Sequence, residues 1–359
     1  MIKLNLREQH MTQNNNPIGL QGIEFIEFST RSPETIEKLF YAFGFSKLMR
    51  HSTRNVNYYN QNDIHFLINH DKNSFGAKFE ALHGPCVSAM GWRVKSADAA
   101  FKKALELGAK AAEVGDYQVQ KGEKLRAIYG IGDSLIYFIE NWKEKDRYER
   151  MGFEKTEPVL HKEKGFLCVD HLTNNVPQGT MKHWSDFYKN IFGFTEIKYF
   201  DIKGVKTGLI SYALKSPCGT FCIPINEGTD AKSQINEYLE EYKGAGVQHI
   251  ALLTTDIISS LDAIQSKEIQ TLDIDNEYYE EVFDRVPNVT EDHAELQRLK
   301  ILADGDDEGY LLQIFTKNLI GPIFIEIIQR KNHHAFGEGN FGALFRSIER
   351  DQQKRGYLK

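Results

Sequence analysis

The chain has 359 residues, 41% of them hydrophobic and 26% charged, with a formal net charge of −6. That balance excludes a disordered or fibrous chain and argues against nucleic acid or an anionic membrane surface as a partner. No apolar stretch reaches bilayer length, the N-terminus lacks a signal-peptide run, and Cys86, Cys168, Cys218 and Cys222 show neither zinc nor redox spacing, so the cytoplasm is the expected compartment.

Residues 1–20 are polar, with Gln13-Asn-Asn-Asn16-Pro17, and are expected to form a loose tail. A first half, 21–150, opens on a strand-like run, Gly22-Ile-Glu-Phe-Ile-Glu-Phe28, and continues into an amphipathic helix over 32–43 that stops at Gly44. The run Val87-Ser-Ala-Met-Gly-Trp-Arg-Val94 then leads into a helix over 97–107, and Leu135-Ile-Tyr-Phe-Ile-Glu140 closes the half. A charged stretch over 142–164 is the expected linker. The second half, 165–359, repeats the plan. Cys168-Val-Asp-His-Leu172 precedes a helix over 181–192 that stops at Gly193; Val247-Gln-His-Ile-Ala-Leu-Leu253 precedes a helix over 257–266; Ile323-Phe-Ile-Glu326 is the closing strand. Strand, helix and several strands, repeated, imply an α+β fold of two similar domains.

Three polar side chains stand inside these apolar strands: His171, His249 and Glu326, 78 and 77 residues apart. A buried carboxylate is costly unless paired or bound to a cation. Taken singly, each histidine fits a hydrogen-bonded core residue and Glu326 fits a buried salt bridge. Together they form the two-imidazole, one-carboxylate set that holds non-haem Fe(II) and leaves positions open for chemistry. In the first half the matching positions are Glu27 or Phe28 for His171 and Ala89 for His249, with Glu140 alone keeping a ligand type. A single metal, held by the second half, is therefore expected.

Tandem βαβββ modules with ligands at these strand positions resemble the vicinal-oxygen-chelate superfamily. Within it, the second half resembles the 4-hydroxyphenylpyruvate dioxygenases through Val169-Asp-His-Leu-Thr-Asn-Asn-Val176, Gly244-Ala-Gly-Val-Gln-His-Ile-Ala-Leu252, Leu312-Gln-Ile-Phe-Thr-Lys317, Phe324-Ile-Glu-Ile-Ile-Gln-Arg330 and Phe336-Gly-Glu-Gly-Asn-Phe341. The resemblance implies a half-open β-barrel in the C-terminal domain and one Fe(II) per chain. It implies 4-hydroxyphenylpyruvate and dioxygen as reactants, homogentisate and carbon dioxide as products of tyrosine and phenylalanine breakdown, and a homo-oligomer, dimer or tetramer. It also implies that Ser211, Asn226, Gln234, Gln248 and Gln313 line or support the substrate pocket, with Phe315 and Phe341 against the substrate ring. Gln248 adjoins His249, so strict alternation puts it on the opposite face unless the strand is irregular there. The alternatives are hydroxymandelate synthase, whose family pattern has isoleucine at the position of Phe341, an extradiol-type dioxygenase, and a metal-free binding module.

Beyond the closing strand, Phe341, Leu344, Phe345 and Ile348 recur at helical spacing, with Asn340 as the expected N-cap. A lid helix over about 340–355 is expected, behind the flexible Gly337 and Gly339. His333 and His334 are expected in a solvated turn, and Asp304-Gly-Asp-Asp-Glu-Gly309 in a hairpin turn.

Overall fold

A computed structural model of the protein describes residues 16–118, 124–204, 206–264 and 266–358; most of the expected tail lies outside the described residues. The first domain holds strands β1 (Leu20–Ser29), β2 (Ser46–His51), β3 (Val56–Gln61), β4 (Ile64–Asn69), β5 (Cys86–Val94), β6 (Ala127–Tyr129), β7 (Leu135–Ile139) and β8 (Phe153–Val159). The second holds β9 (Phe166–Val176), β10 (Thr195–Lys203), β11 (Gly208–Lys215), β12 (Cys222–Gly228), β13 (Gly246–Thr254), β14 (Leu302–Gly305), β15 (Tyr310–Phe315) and β16 (Phe324–Lys331). The helices are α1 (Pro33–Ala42), α2 (Phe75–His83), α3 (Ala97–Glu106), α4 (Arg147–Arg150), α5 (Met181–Phe187), α6 (Gln234–Tyr242), α7 (Ile257–Ala263), α8 (Asn276–Arg285), α9 (His293–Arg298) and α10 (Phe341–Lys354).

Each domain is one eight-stranded sheet, ordered β6-β7-β5-β1-β4-β3-β2-β8 and β10-β11-β12-β9-β13-β16-β15-β14. The centre of each is an antiparallel pair, β1 with β5 and β9 with β13, flanked by parallel partners. Each sheet is thus two modules joined through their first strands and curled into a cup. The expected linker is partly structured, because α4 and β8 lie within 142–164 and β8 pairs with β2, extending the first sheet. The helix expected over 181–192 is α-helical to Phe187 and closes as a π-turn over Tyr188–Phe192, ended by left-handed Gly193.

Alternation along the strands sorts the side chains by face. Phe28, Phe66 and Trp92 pack away from the first cup, under helices such as α1, which buries Ile36, Leu39 and Phe40. Each fully buried side chain of this size contributes about 1.5–3 kcal/mol. Trp92 also packs on Phe192 and Phe221 of the second domain, so the two domains share a core.

The ladder register settles which residues match across the repeat. Phe25 pairs with Gly91 and Gly91 with Tyr137, as His171 pairs with Ala251 and Ala251 with Glu326. The first-domain counterparts of the three candidate ligands are therefore Phe25, Ala89 and Tyr137. Neither Glu27, Phe28 nor Glu140 is a match; Glu140 lies beyond the end of β7, where its carboxylate accepts from the Ala97 N–H at the start of α3. The first cup is filled by Phe25, Tyr117 and Tyr137, with ring centroids 5.5–6.2 Å apart.

At the edge of that plug Glu27 is buried, accepting from the Tyr117 hydroxyl, Asn69 and Ser88. Burial and the charge of Asp116 push its carboxyl up from 4.5 to about 7 against those hydrogen bonds. The folded state then holds an extra proton between those values, so stability from this group is fully present below pH 4.5 and lost as pH rises through 7. The melting temperature should fall across pH 5–8 less steeply in Glu27→Gln than in wild type. Parallel slopes would contradict this account of Glu27.

Candidate metal centre

His171 on β9, His249 on β13 and Glu326 on β16 bring their side chains together in the second cup, on the face occupied by the aromatic plug in the first. His171 Nε2 lies 3.1 Å from Glu326 Oε2, His249 Nε2 lies 3.3 Å from the same oxygen, and the two Nε2 atoms are 3.3 Å apart. All three residues are at least 92% buried.

The outer ring nitrogens fix what faces inward. Asp170 Oδ2 accepts from His171 Nδ1–H at 2.7 Å, and Gln248 Oε1 accepts from His249 Nδ1–H at 3.0 Å. Both Nε2 lone pairs then converge with a carboxylate oxygen, an arrangement that calls for a cation. Three donors about 2.1 Å from one metal, at octahedral to tetrahedral angles, lie about 3.0–3.4 Å apart. The observed separations fall in that range, so the residues fit a divalent metal. Without one, a proton on His171 substitutes. Burial lowers the affinity of His171 for that proton, but the Glu326 charge and the Asp170 bond outweigh it and raise the ring to about 9. Burial likewise raises Glu326, yet the charge and bond from His171, joined by His249, bring it down to about 2. His249 is lowered, chiefly by burial.

Gln248 shares the cavity wall with His249 despite being its neighbour. The β9–β13 register skips between Val247 and His249, so Gln248 sits on a bulge and turns toward the His249 ring nitrogen it meets. Asn226 Nδ2 donates to Gln248 Oε1 and to Asn175 Oδ1, both at 3.3 Å. Ser211 stands opposite Asn226 across β11 and β12, and Gln234 enters from the first turn of α6, whose N-terminus Ser233 caps. Ser211, Asn226, Gln234, Phe315 and Phe341 all line the same cavity.

Gln313 does not line it. A Cβ at Gly337 would lie 2.2 Å from the Gln313 Nε2, so the loop before α10 covers this amide, and neither of its polar atoms has a hydrogen-bond partner among the described residues. The close approach, together with a φ of 78° at Gly337, requires glycine there. Asn340 also departs from expectation. Its backbone is helical and its side chain does not cap α10; its Oδ1 accepts from the Tyr278 hydroxyl at 2.6 Å and from Arg285 at 3.1 Å.

Several wall residues escaped the sequence reading. Phe324 stacks on the His249 ring at 4.7 Å, and Phe336 meets His171 edge-on at 5.3 Å. Phe324 was signalled by its position two residues before Glu326, on the same strand face. Phe341 packs edge-on against Phe200 at 5.4 Å, and Leu344, Phe345 and Ile348 of α10 complete the roof. His183, the histidine of α5 that an extradiol site would need as a further acid–base group, lies outside the cavity, beside Trp184.

Two modules per domain, a metal-capable cup in one domain and a plugged cup in the other define a vicinal-oxygen-chelate protein of the dioxygenase type. Comparison with known proteins agrees with this. Residues 14–154 match the family described as hydroxyphenylpyruvate dioxygenase, N-terminal, and residues 169–313 match the glyoxalase/bleomycin resistance protein/dioxygenase superfamily. The chain is 57% identical to Protein MelA of Shewanella colwelliana, over 97% of this chain and 100% of that one. It is 43% identical to a 4-hydroxyphenylpyruvate dioxygenase of Legionella pneumophila, over 97% and 99% of the two chains. Among solved structures, a mutant of 4-hydroxymandelate synthase from Streptomyces coelicolor superposes with a TM-score of 0.79 at 20% identity, over 93% of this chain and 99% of that one, a likeness of fold. The chain belongs to the 4-hydroxyphenylpyruvate dioxygenase family.

Proposed function

We infer that the chain converts 4-hydroxyphenylpyruvate and dioxygen into homogentisate and carbon dioxide, with one Fe(II) held by His171, His249 and Glu326. The observation that carries the metal is the convergence of two Nε2 lone pairs and one carboxylate in a buried cup; full-length identity to enzymes of that name supports the reaction. Iron supplies open coordination positions for the 2-oxo acid and dioxygen, and the redox chemistry that joins them.

The chain's own residues account for the rest. Gln248 and Asp170 hold the two imidazoles in the tautomer that faces the metal. Ser211, Asn226 and Gln234 offer hydrogen bonds to the polar ends of the substrate, while Gln313 lies outside the cavity wall, beneath the loop at Gly337. Phe315, Phe324, Phe336 and Phe341 confine an aromatic ring between flat and edge-on faces. No arginine or lysine lines the cavity among the described residues, so the charge partner for the substrate's carboxylate would be the metal held by His171, His249 and Glu326.

Phe341 at the ring position favours attack on the ring over the benzylic carbon, the outcome assigned to hydroxymandelate synthases. An extradiol reading lacks support, since among the described residues the histidines lining the cavity are the two ligand candidates. A metal-free binding module leaves the two facing lone pairs without a role. Assembly as a homo-oligomer and a cytoplasmic setting complete the proposal; the four cysteines are free, as in a reducing compartment. The test is to supply Fe(II)-loaded protein with 4-hydroxyphenylpyruvate and dioxygen and identify the aromatic product. Homogentisate is expected. Hydroxymandelate as the main product would overturn the role given to Phe341, and no product would overturn the reaction.

A further inference from the structure

On β9 the register jumps from His171, paired with Ala251, to Val169, paired with Leu252. Asp170 falls in the gap, on a bulge that re-aims its side chain. Its carboxylate accepts from His171 Nδ1, and both of its oxygens are gripped by Arg330, with Nε at 2.7 Å and an Nη at 2.8 Å. This two-pronged contact fixes direction as well as charge. Arg330 is four residues beyond Glu326 on β16, so two ligand strands are cross-braced behind the metal cup. The other Nη of Arg330 donates to the backbone carbonyls of His333 at 3.1 Å and Ala335 at 2.6 Å. The next residue is Phe336, whose ring meets His171, and Gly337 and α10 follow. Asp170 and Arg330 side chains are only 13% and 14% exposed, so these bonds are shielded from water.

The first domain carries the same bulge without the ligand. There the register skips Glu24, between Ile23 and Phe25, and Glu24 is held by Arg93 at 2.7 Å and by Arg147. An acid gripped by arginine at this bulge is therefore a brace of the fold. In the second domain the acid itself accepts from a histidine ring nitrogen, because His171 stands where Phe25 does; in the first the histidine near the brace, His65, meets Arg147 instead, at 3.4 Å.

We propose that Asp170 and Arg330 are positioning residues of the metal centre: Asp170 presents His171 Nε2 to the metal, and Arg330 ties that ligand to the 333–336 segment at the root of the lid. This rests on the metal reading above. Binding of Co(II) alone to the full chain tests it, followed by calorimetry and by the visible absorption of the bound ion. Asp170→Asn and Arg330→Gln should each weaken Co(II) binding by about 10–100-fold, the usual cost of losing an outer partner of a metal histidine, and shift the absorption. Arg330→Lys, which keeps the charge but not the two-pronged grip, should fall between Arg330→Gln and wild type. Arg330→Gln should also speed amide hydrogen exchange over 333–340. Arg93→Gln, the same change at the first-domain brace, should lower stability but leave Co(II) affinity and spectrum as in wild type.

Wild-type affinity and spectrum in Asp170→Asn would overturn the proposal. So would an equal loss of affinity in Arg93→Gln. Should Asp170→Asn fail to fold, Arg330→Lys decides: weakened binding with a native circular dichroism spectrum supports the coupling, and unchanged binding overturns it. Wild-type protein that takes up no Co(II) would instead bring down the metal centre itself.

Discussion

Glu326→Ala should abolish homogentisate formation and lower divalent-metal affinity by more than about 100-fold, beyond the cost of losing only an outer partner of a ligand. The reason is electrostatic as well as geometric. Glu326 is the only anion among the three donors, and its Oε2 lies within 3.3 Å of both ligand nitrogens. Without it, two neutral imidazoles remain to hold a dication in a buried cup. His171 also loses the counter-charge that raises its proton affinity. Glu326→Gln keeps the shape and removes the charge, so it should fail similarly in metal binding while preserving the fold. His171→Ala and His249→Ala should abolish turnover as well. Metal titration and product analysis on each variant check this; a robustly active variant would remove that residue from the ligand set.

Deleting residues 340–359 should leave metal binding close to wild type and reduce turnover by about 100-fold or more, the scale at which misplacing a substrate affects rate. The candidate ligands sit on β9, β13 and β16, and none is on α10. The cavity roof is built on it: Phe341, Leu344, Phe345 and Ile348 come from this helix alone. The helix is seated by specific contacts. Glu349 accepts from the Lys206 and Thr207 backbone N–H groups and the Thr207 hydroxyl, each at 3.0 Å; Ser347 donates to the Asp273 carbonyl at 2.7 Å; Arg350 pairs with Asp275 at 2.6 Å. Removing it opens the cup to water and leaves the substrate ring without one wall. Metal affinity and turnover measured side by side separate the two effects. Unchanged turnover would sink the lid, and lost metal binding would mean that α10 supports the cup itself.

The three candidate ligands were legible in the sequence because a histidine or glutamate inside an apolar strand is conspicuous, and three in one repeat are hard to explain separately. The repeat was legible too, through helices that stop at Gly44 and Gly193. Register was not. Matching Glu140 to Glu326 fails because sequence alone cannot show which rung of a ladder faces which, whereas the pairing places Tyr137 there. Bulges were equally hidden. Alternation put Gln248 on the wrong face and drew no attention to Asp170, and both are re-aimed by an extra residue in the ladder. Arg330 became meaningful only when its partner, 160 residues away, was brought beside it. Asn340 looked like a cap from its place before an amphipathic run, but hydrogen bonds from Tyr278 and Arg285 of α8 claim its side chain.

The proposed enzyme uses one catalytic Fe(II), in the second cup, to act on 4-hydroxyphenylpyruvate. The most direct test is an anaerobic Fe(II) titration followed by a single turnover with substrate and dioxygen, counting iron bound and homogentisate formed per chain. One iron and one homogentisate per chain are predicted, with both lost in Glu326→Ala. Two irons per chain, iron bound equally well by Glu326→Ala, or consumption of substrate without homogentisate would contradict the account.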